Sequence, residues 1–247
     1  MERKIRQQVI WLQPIMNNQV SYYNRFGKQF EQSILDCPEP ALWTTDYAKK
    51  GRVYREMKVR VTQQQALITD GFIKEEPVLD IGCGFGRQAF LLAQLGFSVT
   101  GTDTSEVFID IAKKLFNKYS YKGQFYCMDL LKGERPGGFY KQLLLQDVLE
   151  HIKPFQRRKF IKQIFQLAAP GAKLIISLPH VKKRFSSQVN NRIRKEITQH
   201  FAYFTNREEH PYPIPVKNDI LKYIQGLFSI ESELISPETD YYVLRKV

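Results

Sequence analysis

From Pro77 onward, short apolar runs alternate with amphipathic stretches. The runs at 78–81, 98–102, 124–128, 142–147 and 173–178 have the length and composition of strands. Between them the spacing predicts helices over 87–95, over 106–119 with Ser105 as N-cap, and over 155–168, the last stopped by Pro170-Gly171. In that third helix Phe160, Ile161, Ile164, Phe165 and Ala168 fall on one face, which is expected to pack on a sheet. Parallel neighbours need a crossover, so strands separated by helices specify an α/β fold with a mostly parallel sheet. A helix at 218–225 and strands at 228–234 and 240–245 close the pattern.

The N-terminal part reads differently. Ile5, Val9, Leu12 and Met16 lie near helical spacing, with Pro14 bending or ending that helix. A loop follows at Cys37-Pro38-Glu39-Pro40, then a second helical stretch over 52–69. The chain therefore divides into an N-terminal helical cap, 1–73, and an α/β domain, 74–247. A basic, polar interval at 181–216 exceeds the usual connection in a compact domain and is expected to be an insertion on the acceptor side.

Composition changes this picture little: 43% hydrophobic and 25% charged residues in a 247-residue chain suit an ordinary globular protein. No apolar run approaches the roughly 20 residues of a membrane span, and Val9-Ile10-Trp11-Leu12 is too short for a signal-peptide core. A cytoplasmic location is the expectation. Cys37, Cys83 and Cys127 match neither a zinc site nor a disulfide framework, and are expected to be reduced thiols in or near the core. The net charge of +12 favours anionic partners, but the basic residues are spread over several segments, which equally suits solvated helix faces.

The strongest local signal is Val78-Leu79-Asp80-Ile81-Gly82-Cys83-Gly84-Phe85-Gly86-Arg87, an apolar strand entering a glycine-rich turn and then a helix. Glycines there admit a ligand to the backbone, and the helix start offers free N–H groups. A dinucleotide site would place its third glycine where Arg87 stands. Asp80, just before the turn, suits a cofactor bearing an ammonium.

Residues 77–180 resemble the class I S-adenosylmethionine-dependent methyltransferases, through Leu-Asp-Ile-Gly-Cys-Gly-Phe-Gly at 79–86 and Asp-Val-Leu-Glu-His at 147–151. The resemblance implies a Rossmann-like sandwich with a seven-stranded, mostly parallel sheet whose last strand is antiparallel, and S-adenosyl-L-methionine as cofactor. It implies that Asp80, Gly82, Cys83 and Gly84 line the methionine end, and that Asp103, with Thr104 beside it, accepts from the ribose hydroxyls. Met128, Asp129 and Leu130 would hold the adenine edge, and Gln146 would close the site with Asp147. Tyr23 resembles a residue of an N-terminal segment that covers the cofactor, and Arg60 an arginine that meets the cofactor carboxylate in some quinone O-methyltransferases.

The leading acceptor is a small or lipid-like molecule methylated on O or N, the alternative an RNA drawn by the basic surface. A hydroxyl or ammonium acceptor needs a base, for which His151, His180 and Asp147 are candidates. Asp147-Val148-Leu149-Glu150-His151 also resembles the Glu-x-x-Glu-His metal site of quinone and small-RNA methyltransferases, to which His180 or His210 would add a ligand. The same pentapeptide occurs in metal-free relatives, and no metal is expected.

Overall fold

The computed structural model describes residues 18–36, 52–179, 212–236 and 239–247. Its seven strands are β1 (Val78–Ile81), β2 (Val99–Asp103), β3 (Gly123–Cys127), β4 (Tyr140–Gln146), β5 (Ala168–Pro179), β6 (Phe228–Ile235) and β7 (Thr239–Lys246). They form one sheet in the order β3-β2-β1-β4-β5-β7-β6. The first five pair in parallel, and β7 runs antiparallel to both β5 and β6. The helices are α1 (Asn18–Asp36), α2 (Arg52–Gly71), α3 (Arg87–Gln94), α4 (Glu106–Lys118), α5 (Arg157–Leu167) and α6 (Lys217–Ile224).

Alternation along the strands feeds two cores, one on each face of the sheet. Leu143, Leu145, Leu174 and Ile176 pack with Phe160, Ile161 and Ile164 of α5 and Ile220 of α6. Leu144, Ile175 and Val243 face the other layer, with Phe90 of α3, Ile109 and Leu115 of α4, and Ile68 of α2. Strands covered on both sides read as apolar runs, as Val78–Ile81 does apart from Asp80, with all four residues buried.

The N-terminal helices join this body directly. Gly27 of α1 sits against α4 so closely that a Cβ there would lie 2.8 Å from Val107 Cγ1. Tyr23, Phe26 and Phe30 pack around Phe108, Ile111 and Ile34. The helix expected near 5–16 and most of the interval at 181–216 lie outside the described residues.

Three expectations are corrected. The third crossover helix begins at Arg157, after a 3₁₀ turn at Pro154–Gln156, and stops at Leu167, so Ala168 belongs to β5. Pro170-Gly171 does not end an element: Tyr140 pairs with Ala168 and Gln142 with Lys173, so the Pro-Gly pair occupies an irregularity inside β5 where the ladder needs no donor. Cys83 is a buried free thiol, but Cys127 is free and exposed, because β3 is an edge strand with only Phe125 buried.

Two helix ends are held by long cations. Lys246 Nζ donates to the carbonyls of Phe165 (3.0 Å) and Ala168 (2.7 Å) at the end of α5, with the Phe165 ring centroid 4.0 Å away. Arg158 donates to the carbonyls of Lys222, Tyr223 and Gln225 at the end of α6.

Candidate functional site: a cavity at the strand ends

β1 lies between β2 and β4, so the chain leaves it in one direction and later returns on the other side. The crevice at the carboxyl ends of these strands is where open α/β sheets bind ligands. Here it is a cavity of about 360 Å³.

β1 and the turn after it form the floor. Gly82, Gly84 and Gly86 have φ of 69°, 54° and 87°, a region that glycine enters without strain. At Gly82 the second reason is space, since a Cβ would lie 2.5 Å from Val148 Cγ2. Asp80 is 1% exposed, and its Oδ2 has no hydrogen-bond partner among the described residues. Burial, then the charge of Asp103, pushes its pKa up to about 7, with Arg87 opposing.

Asp103 ends β2. Its Oδ2 accepts from Gly84 N (2.9 Å) and its Oδ1 from Ser105 N (2.8 Å), tying the glycine turn to the start of α4. Each oxygen keeps a second lone pair for a ligand. Burial raises its pKa against these backbone donors. Beyond β3, Asp129 Oδ1 accepts from Leu131 N (2.9 Å) and so caps a 3₁₀ turn beside Met128.

β4 delivers Gln146 and Asp147. Gln146 is buried, and neither of its amide atoms has a hydrogen-bond partner among the described residues. Asp147 adopts φ 55°, a left-handed conformation uncommon outside glycine. Its carboxylate is ion-paired with Arg60 of α2, lies 4.0 Å from Arg87, and accepts from Ser177 Oγ at 2.8 Å. Burial works to raise its pKa, but the two arginines outweigh it and hold the group below the ordinary carboxylate value.

α1 closes the cavity with Gln19, Tyr22, Tyr23 and Phe26 facing His151 and Phe108. Tyr23 Oη lies 3.3 Å from both ring nitrogens of His151, and Gln19 Nε2 lies 3.3 Å from Nδ1. Glu150 is 0% exposed, and neither carboxyl oxygen has a hydrogen-bond partner among the described residues. Burial, then the charge of Asp147, pushes its pKa well up. Asp147 and His151 thus take up different partners, and among the described residues no three His, Cys, Asp or Glu side chains form a group able to hold a metal ion.

Every residue named from the sequence for the cofactor lines this cavity except Arg60, which stands behind Asp147. Asp147 and His151 line it as well, while His180, His200 and His210 lie outside the described residues. Sequence reasoning missed Gln19, Phe85, Gln88, Phe108 and Phe160 as lining residues. It also read Arg87 only as a missing glycine. A cation opening the helix that follows the strand bearing Asp80 was the available signal.

The strand order, the glycine turn and the position of the cavity are those of the class I S-adenosylmethionine-dependent methyltransferase fold. Residues 78–171 match the family described as a methyltransferase domain. The chain is 34% identical over 105 residues to a ubiquinone biosynthesis O-methyltransferase of Coxiella burnetii, which covers 42% of this chain and 44% of that protein. It is 29% identical over 145 residues to a magnesium-protoporphyrin O-methyltransferase of Synechocystis, covering 55% of this chain and 61% of that one. The matched segment thus spans less than two thirds of either relative. Among solved structures, the magnesium protoporphyrin IX methyltransferase of Synechocystis with bound S-adenosylmethionine superposes with a TM-score of 0.62 at 21% identity, covering 92% of this chain and 94% of that one. An N-methyltransferase of Bradyrhizobium japonicum with S-adenosylhomocysteine superposes with a TM-score of 0.55 at 15% identity, covering 89% and 98%.

Proposed function

We propose that the chain is an S-adenosylmethionine-dependent methyltransferase that methylates an oxygen or nitrogen of a small-molecule acceptor, with oxygen favoured by the names of the two relatives. The observation that carries this reading is the cavity at the switch point, with Asp80, Asp103 and Asp129 placed around it at the ends of three neighbouring strands. The donor set fits the cofactor. A glycine cradle admits it, Asp103 has lone pairs for two hydroxyls, and Asp80 Oδ2 and the Gln146 amide are buried polar atoms in want of partners.

When bound, the cofactor supplies a methyl already activated on a sulfonium. The chain's part is therefore alignment, exclusion of water and removal of a proton. Asp80 and Asp103 would hold the charged and hydroxylated ends of the cofactor, and Asp129 its adenine end. The rings of Tyr22, Tyr23, Phe26, Phe85 and Phe108 keep water out. His151 takes the acceptor proton. Asp147, committed to Arg60 and Ser177, serves as an anchor. The cavity falls at the low end of the ~300–1,000 Å³ typical of small-ligand pockets, enough for one such ligand. The acceptor then approaches past His151, Ile152 and Phe160, whose apolar surfaces suit a lipid-like molecule. The names of the two relatives point to a small molecule over the RNA alternative.

Calorimetric titration tests the premise. S-adenosylmethionine and S-adenosylhomocysteine should bind and NAD should not. Asp103→Ala should weaken binding by about 1.5–3 kcal/mol, the value of hydrogen bonds to a charged group. An unchanged affinity would remove Asp103 from the site.

A further inference from the structure

We propose that Gln19 is a positioning residue that holds His151 as a neutral base, with its proton on Nε2 and the lone pair of Nδ1 turned to the acceptor side. The proposal rests on His151 being the proton acceptor. Gln19 Nε2 stands 3.3 Å from Nδ1, and an amide nitrogen only donates, so Nδ1 meets it with a lone pair. The neutral ring then carries its proton on Nε2, the nitrogen 3.9 Å from Glu150 Oε1.

Gln19 and Tyr23 are four residues apart on α1, so they share a face and reach the imidazole together. The Tyr23 ring meets the imidazole edge-on, with centroids 5.6 Å apart and planes at 88°, which fixes the ring's tilt. The groups shown facing His151 are Gln19 and Tyr23 from α1 and Glu150 from its own turn. A charged imidazolium would bring an N–H against the Gln19 amide, so this contact favours the uncharged ring. In the free protein the amide therefore sets the tautomer, and on binding the acceptor takes its place, with an O–H or N–H donating to the same lone pair. As the new bond to methyl forms, that proton passes to Nδ1, and the electron pair of the broken S–C bond stays on sulfur.

Nitrogen NMR of histidine-labelled full-length protein reads this without any acceptor. The native protein should show an unprotonated Nδ1 and a protonated Nε2 in the neutral form. Gln19→Leu should abolish that bias. Gln19→Glu should move the proton to Nδ1 and raise the titration midpoint by about one unit or more, as a nearby opposite charge does. The acidic limb of the rate profile should move with it. Cofactor titration on each variant verifies that the site is intact. An Nδ1–H tautomer in the native protein, or a tautomer and midpoint that both variants leave unmoved, overturns the role of Gln19. Turnover that survives His151→Ala overturns the underlying reading of His151 and can be told apart from the NMR result.

Discussion

Asp80 is the side chain on which pH dependence should converge. It is an acid with one oxygen unpartnered, its pKa pushed up to about 7 by burial and by Asp103. A cationic ligand prefers the ionised carboxyl, so binding below that value must expel a proton. The affinity for S-adenosylmethionine should therefore fall as pH drops below about 7, by up to about tenfold per unit, and level off above it. Asp80→Asn should bind more weakly at neutral pH but lose this slope, and a slope that persists in the variant would exclude Asp80 as its source. Gly82→Ala tests the cradle. The new Cβ meets Val148 at 2.5 Å, and φ 69° is strained for alanine, so stability should fall by about 1–3 kcal/mol in a denaturant titration.

At the scale of elements, terminal cations couple neighbouring segments. Arg158 on α5 donates to three carbonyls at the end of α6, where a cation also meets the helix dipole. Exposure limits its worth to about 0.3–1 kcal/mol, so Arg158→Ala should lower Tm by a few degrees at most and leave cofactor affinity unchanged. A larger loss in calorimetry would mean that α6 supports the site itself. The same elements show what was legible in the sequence. Strands buried on both faces, such as β1 and β4, announce themselves as apolar runs, and Ser105 as a cap is local chemistry; its Oγ accepts from Phe108 N at 3.2 Å. Pro170-Gly171 misled because a terminator and a bulge use the same residues, and only pairing with β4 decides between them. Gln19 left no trace for a similar reason. A polar residue on an amphipathic helix looks solvated until the turn bearing His151 comes to meet it.

Over the whole molecule, stability against pH sums groups of opposite sense. Asp147, held below its ordinary value, contributes stability at neutral pH that is lost as pH falls through its native pKa. Asp80 and Glu150, raised above their ordinary values of 3.8 and 4.5, favour the folded state in acid and weigh against it increasingly as pH rises. For Glu150→Gln, the Tm relative to the native protein should therefore improve steadily as pH is raised above about 4.5. A difference that stays constant with pH would show that Glu150 ionises as it does in the unfolded chain.

The ion pair between Arg60 on α2 and Asp147 after β4 carries a consequence for how such chains can be recombined. α2 also contributes Ile68 to the sheet's core, where Phe72 joins it just past the helix end, so this helix is no detachable module. A chimera that takes this segment from one relative and the catalytic body from another inherits a half-buried carboxylate whose counter-ion belongs to a different lineage. Viable exchanges should be those in which positions 60 and 147 travel together, and a library of such crossovers should show the two residues inherited as a linked pair.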